Sequence, residues 1–135
     1  MLFGKKNKIL IVDDDEDMLS LFNTILSDYK YNVIQAKNGL ECLEKAKKYA
    51  PDIIIMDVMM PELDGIATVL KLRSEETTRH IPVIMCTAVK ESEDEILARN
   101  LGAVDYVQKT PQMNDLIARI ERVLNQWMKK GVQRI

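Results

Sequence analysis

The chain is poor in the side chains that usually bind soft metals or carry electrons. Cys42 and Cys86 are its only cysteines. They form no C-x-x-C pair and have no neighbouring histidine, so both read as small buried hydrophobes rather than a metal or redox site. His80, the only histidine, precedes Ile81-Pro82 in a connecting segment and reads as a surface residue, not a catalyst. Long apolar runs are missing too: no stretch approaches the ~20 residues that span a bilayer. The charged-then-apolar start MLFGKKNKILIV is cut after Val12 by Asp13, Asp14 and Asp15, which leaves too short a run for a secretory h-region. The expectation is a cytoplasmic protein with no membrane partner. A basic stripe is also lacking: Lys47-Lys48 and Lys129-Lys130 are isolated pairs, and the net charge is -2. Binding a phosphate backbone needs more, so no direct nucleic-acid partner is expected. There is no internal repeat and no low-complexity segment.

What is present is an alternation of short apolar strands and amphipathic helices. With 47% hydrophobic and 30% charged residues the chain has the composition of an ordinary globular protein with a substantial core. Its 135 residues suggest one domain, 1-135, with a core over about 7-127 and a helical extension over 128-135. Lys8 to Val12 predicts a strand, and Met18, Leu21, Phe22, Ile25 and Leu26 follow at helical spacing. Tyr31 to Ala36 predicts a second strand, Asn38-Gly39 a turn, and Leu40, Leu43 and Ala46 the thin apolar stripe of a second helix. Ile53 to Met56 reads as a fully buried strand that delivers Asp57 at its carboxyl end. Pro61 and Gly65 punctuate the next loop, and Ile66, Val69 and Leu70 place the core face of a third helix ending before SEETTRH. Pro82 opens a fourth strand, Val83 to Cys86. Ser92 and Glu95 form a capping box for a fourth helix, which Gly102 closes. Val104 to Val107 is the fifth strand. Met113, Leu116, Ile117, Ile120, Val123, Leu124 and Trp127 mark a final helix running to Lys130, with Gly131 to Ile135 as a frayed end.

Five strands alternating with five helices predict an α/β fold, a doubly wound five-stranded parallel sheet with helices on both faces. Periodicity leaves strand order open, and the flavodoxin-like order 2-1-3-4-5 fits ten elements in this length. In such a sheet the carboxyl ends of the strands share the edge at which ligands bind. The polar residues there are Asp13, Asp14, Asp57, Thr87 and, after Gln108, Lys109. Three carboxylates on one crevice repel one another, and their hard oxygen ligands suit Mg2+ or Mn2+ rather than zinc. Taken singly, Asp57 is equally compatible with a helix cap, Thr87 with a β-branched strand residue and Lys109 with a solvated strand-end lysine. For Asp15, Glu16 and Asp17, acid at a helix N-terminus is explanation enough.

The motifs ILIVDDD, IIIMDVMMPELDG, VIMCTA and DYVQK, in this order and spacing, resemble the receiver domain of two-component response regulators, the CheY-like family, from Lys8 to about Trp127. The resemblance implies a stand-alone response regulator in a phosphorelay. It implies Asp57 as phosphoacceptor, Mg2+ ligation by Asp14, Asp57 and the backbone carbonyl of Met59, and Asp13 acting largely through water. It further implies that Thr87 and Lys109 contact the phosphoryl group and that Tyr106 is the aromatic switch residue. The implied phosphoryl donor is a histidine kinase or histidine phosphotransfer protein, and the output is contact with a downstream protein. The chain would be a monomer or weak dimer, and no enzyme beyond its own phosphorylation and dephosphorylation.

The residue types agree with that chemistry. A carboxylate is a competent nucleophile toward phosphorus, and phosphoryl transfer asks chiefly for in-line positioning and charge neutralisation. Ala88 beside Thr87 leaves room and a backbone N–H. The main rival is a Mg2+-dependent phosphohydrolase, but such enzymes typically place a second acid two residues after the nucleophile, where this chain has Met59. A receiver acting only as an unphosphorylated interaction module is the third reading, and the complete residue set argues against it. Two features depart from the family pattern. Lys109 is followed by Thr110 and then Pro111, so the family's cis bond falls at Lys109-Thr110 at ~2.5 to 4 kcal/mol, moves to Thr110-Pro111, or is lacking. The final helix also outruns the compact fold, with Trp127 either packed back on the core or marking a docking or self-association surface.

Overall fold

The structure is a computed structural model that describes residues 7–57, 64–87, 102–108 and 114–133; for Thr87, Tyr106, Gln108 and 127–133 it describes the backbone alone. The elements are β1 (Lys8–Val12), α1 (Glu16–Asp28), β2 (Asn32–Ala36), α2 (Gly39–Tyr49), β3 (Ile53–Met56), α3 (Gly65–Ser74), β4 (Val83–Thr87), β5 (Asp105–Gln108) and α4 (Asn114–Gln133). All four strand pairings are parallel and the order is β2-β1-β3-β4-β5, as anticipated. The helix predicted from Ser92 lies outside the described residues as far as residue 101, so four helices are seen among them; Gly102, expected to close it, is described and has φ +119.

The central strands read as unbroken apolar runs because both faces of the sheet are covered. Along β1 and β3 alternate side chains enter opposite layers. Ile9, Ile11, Ile53 and Ile55 join Ile84, Cys86 and Val107 beneath α1 and α4, while Leu10, Val12, Ile54 and Met56 join Val83 and Met85 beneath α2 and α3. Each such side chain, fully buried, contributes ~1.5 to 3 kcal/mol.

Several local expectations need correction. Leu21, Leu40 and Leu70, read as core positions, are all exposed, and Leu19, Cys42 and Leu72 take the inward places. Apolar stripes on these short helices are wider than the surface the sheet can cover, so position on the helix decides. Asn38-Gly39 is not a free turn: Asn38 is the N-cap of α2, accepting from Glu41 N–H at 2.8 Å, and Gly39 begins the helix. Asp64 caps α3 in the same way, through Ala67 N–H at 2.8 Å, so Gly65 opens the helix. The end expected to fray from Gly131 is helical to Gln133. In α4, Leu116, Ile117, Ile120, Val123 and Leu124 are buried as anticipated. Met113 and the Trp127 side chain lie outside the described residues.

Candidate functional site

The site is built by extending the sheet one residue past its strands. Asp13 follows Val12 and its N–H donates to the Ala36 carbonyl at 3.1 Å; Asp57 follows Met56 and its N–H donates to the Val12 carbonyl at 3.0 Å. These bonds continue the ladder, so Asp13 and Asp57 leave the sheet side by side at the carboxyl edge. A second restraint acts on Asp13, whose Oδ1 accepts from Asp15 N–H at 3.0 Å. Asp15 in turn caps α1 through the N–H groups of Asp17 and Met18, and Glu16 and Asp17 occupy the first turn, as their order predicts. The short acidic run thus divides its labour, one half facing the crevice and the other starting a helix.

Carboxylate oxygens of Asp13, Asp14 and Asp57 lie within 4.8 Å of one another. Asp13 and Asp57 are buried, and Asp14 is exposed. Like charges this close, two of them poorly solvated, repel one another, and a bound cation would offset that repulsion. The donor set is all oxygen and carries formal charge, and one member faces solvent. That suits a hard divalent cation that keeps some of its water, as Mg2+ does.

The other expected residues are placed less completely. Thr87 ends β4 opposite Gln108, and Tyr106 pairs with Met85, so Thr87 and Tyr106 stand one pleat period apart on neighbouring strands. Met59, Ala88, Lys109 and the Lys109-Thr110-Pro111 peptide bonds lie outside the described residues. His80 is exposed in a turn after α3, and Cys42 and Cys86 are buried, Cys42 with its thiol pushed up to about 12 by burial. Sequence reading did not find the two contacts that fix Asp13. The Asp-x-Asp spacing of Asp13 and Asp15 is the signal for the Asx turn; the Ala36 carbonyl has none, being a product of strand register.

Comparison with known proteins agrees with this geometry. The sequence model of the response regulator receiver domain matches residues 9–121. The chain therefore belongs to the response regulator receiver domain family. It is 40% identical over 117 residues to the alkaline phosphatase synthesis transcriptional regulatory protein PhoP of Bacillus subtilis (strain 168), covering 87% of this chain and 48% of that protein. The chain spans about half the length of the curated relatives it matches. Among solved structures it is similar to the CheY-like response regulator receiver domain protein of Methanospirillum hungatei JF-1, with TM-score 0.87, 28% identity and coverage of 94% and 100% of the two chains. The Vibrio cholerae chemotaxis protein CheY4 gives TM-score 0.83 and 30% identity, covering 88% and 99%.

Proposed function

We propose that this chain, read as one receiver domain over 1-135, is a Mg2+-dependent phosphoacceptor that takes a phosphoryl group on Asp57 and signals through protein contact. The observation that carries the reading is the gathering of the Asp13, Asp14 and Asp57 carboxylates within 4.8 Å at the carboxyl edge of a parallel sheet. An Asp57 oxygen attacks the phosphorus of a phosphohistidine on a histidine kinase or phosphotransfer protein. The O–P bond forms as the P–N bond breaks, and the imidazole leaves with the electron pair and takes up a proton. Asp13, Asp14, Asp57 and the Met59 carbonyl are the residues that would hold the ion. When bound, Mg2+ supplies charge neutralisation on the phosphoryl oxygens. Lys109 and the Thr87 hydroxyl complete the set, one as a cation and the other as a donor.

The new group carries roughly -1.5 to -2 charge and three strong acceptors. In this reading Thr87 moves toward it and Tyr106 turns into the vacated space, remodelling the face that meets the downstream protein. The chain acts in the cytoplasm, as a monomer or weak dimer, and catalyses only its own phosphorylation and dephosphorylation. Among the described residues no helix is long and apolar enough to cross a membrane.

Incubation with acetyl phosphate and Mg2+, followed by intact mass measurement, tests the assignment. Wild type is expected to gain one phosphoryl group and Asp57→Asn none. An adduct retained by Asp57→Asn rejects Asp57, and rapid turnover of phosphate esters favours a hydrolase instead.

A further inference from the structure

β2 is an edge strand, and its sequence NVIQA has none of the usual protections of an edge: no lysine, no proline and no charge. The opposite edge strand, β5, begins on Asp105, whose carboxylate is held by Arg119 and Arg122 of α4. Backbone groups alternate sides along a strand, so two fixed bonds orient all of β2. Asn32 N–H donates to the Asn7 carbonyl and the Ala36 carbonyl accepts from Asp13 N–H, both toward β1. Val33, Gln35 and Lys37 therefore turn their backbone groups outward.

Two of those outward groups are covered from α2. Lys45 Nζ donates to the Gln35 carbonyl, and Glu41 Oε1 accepts from Lys37 N–H at 3.3 Å. Glu41 and Lys45 stand one helical turn apart and pair at 3.7 Å, so donor and acceptor are held as a unit. The Gln35 side chain is turned the other way, its Nε2 donating to the Leu19 carbonyl of α1 at 3.4 Å.

We propose that the Glu41–Lys45 pair is an edge guard, occupying the outward carbonyl of Gln35 and the outward N–H of Lys37 so that β2 cannot pair with β2 of a second copy of this chain. A second copy is the partner excluded because two β2 strands related by a two-fold axis lie antiparallel, and the same groups then serve both partners. NVIQA also brings no like charges into opposition in that arrangement. A partly exposed ion pair of this kind adds little to stability. Its effect is on which backbone groups remain available. The proposal does not depend on the chemistry of Asp57.

Sedimentation velocity over a concentration series tests it on the full chain, with folding of each variant checked by circular dichroism. Lys45→Met keeps the alkyl stem and removes the donor; it is expected to self-associate roughly tenfold more tightly than wild type, the scale of freeing one or two hydrogen-bonding groups. Lys45→Arg keeps a donor and should behave as wild type. Adding Val33→Pro to Lys45→Met removes an outward N–H without touching the β1 ladder, and should abolish the gain. A folded Lys45→Met that associates no more than wild type overturns the proposal, as does a gain that survives Val33→Pro. In wild type the Lys37 amide should exchange slowly with deuterium and lose that protection in Glu41→Ala. Exchange at the unprotected rate in wild type also overturns it, whatever the variants do.

Discussion

Arg73, near the end of α3, holds the Gly102 carbonyl with two of its nitrogens, at 3.2 and 2.9 Å, and the Arg79 carbonyl with the third, at 3.0 Å. Gly102 has φ +119, and a Cβ there would meet Arg73 Nε at 2.8 Å. Burial pushes the Arg73 guanidinium below its ordinary pKa, yet a guanidinium remains charged in proteins. One side chain thus ties α3 to the loop before β4 and to the approach of β5, at the end of the sheet remote from the carboxylates.

That contact predicts coupled losses. Gly102→Ala should cost ~1 to 3 kcal/mol through backbone strain and collision. Arg73→Met should cost about 2 kcal/mol through lost charge-assisted bonds. In urea unfolding the double variant should lose less than the sum, because a side chain no longer bonded to the Gly102 carbonyl can swing away from the new Cβ. Strict additivity would show that the two residues do not interact.

Asp105, 4% exposed, is shared between Arg119 and Arg122, the latter at 2.8 Å. Asp105→Asn should lower stability by about 2 kcal/mol, because a buried acceptor is weakened and two guanidinium groups lose their shared carboxylate, Arg119 keeping only its 3.5 Å pair with Asp115. Arg122, whose side chain is 60% exposed, should matter little, ~0 to 1 kcal/mol on change to alanine. Thermal melts of the two variants give the comparison, and equal losses would contradict the burial argument.

The three gathered carboxylates predict a stabilising substitution. With divalent ions removed by chelator, Asp57→Asn should be more stable than wild type by roughly 1 to 3 kcal/mol, since it removes one of the mutually repelling charges. Adding Mg2+ should close most or all of that gap, because ligand that binds only the folded state adds about 2.7 kcal/mol at a hundredfold excess over Kd. Melting temperatures in chelator and in Mg2+ measure both. A wild type indifferent to Mg2+ would count against the ion site.

Cys42 supplies a pH dependence. Its thiol titrates near 9.0 when solvated and is pushed up to about 12 by burial in the fold. Below the unfolded value both states hold the proton and stability is unaffected. Between about pH 9 and 12 only the unfolded state releases it, so stability falls by ~1.4 kcal/mol per pH unit. Relative to Cys42→Ala, wild type should lose stability over that window and not below it. Parallel curves from urea titrations at several pH values would show the thiol is not buried in solution.

The strands and their type were legible because a buried parallel strand leaves the plainest mark in a sequence, an apolar run bounded by polar or turn residues. Asp57 after Ile53–Met56 and Asp13 after Lys8–Val12 stood out for the same reason, as charges where those runs stop. The helices were legible as helices but not in their rotation. Leu40 and Leu70 carry the same side chain as Leu72, and only docking decided that the first two face water.

Local order alone determined where strands and helices alternate, which residues end the strands, and that the acids from Asp15 to Asp17 stand at a helix start, since these depend on neighbours within a few residues. What waited for the tertiary structure were meetings between residues far apart in the chain: Arg73 with Gly102, Asp105 with Arg119 and Arg122, Lys45 with the outward carbonyl of Gln35, and the distance between Asp13 and Asp57. A polar side chain carries no periodicity that names a distant partner. Strand register and helix rotation bring such groups together, and both are settled by packing the whole core.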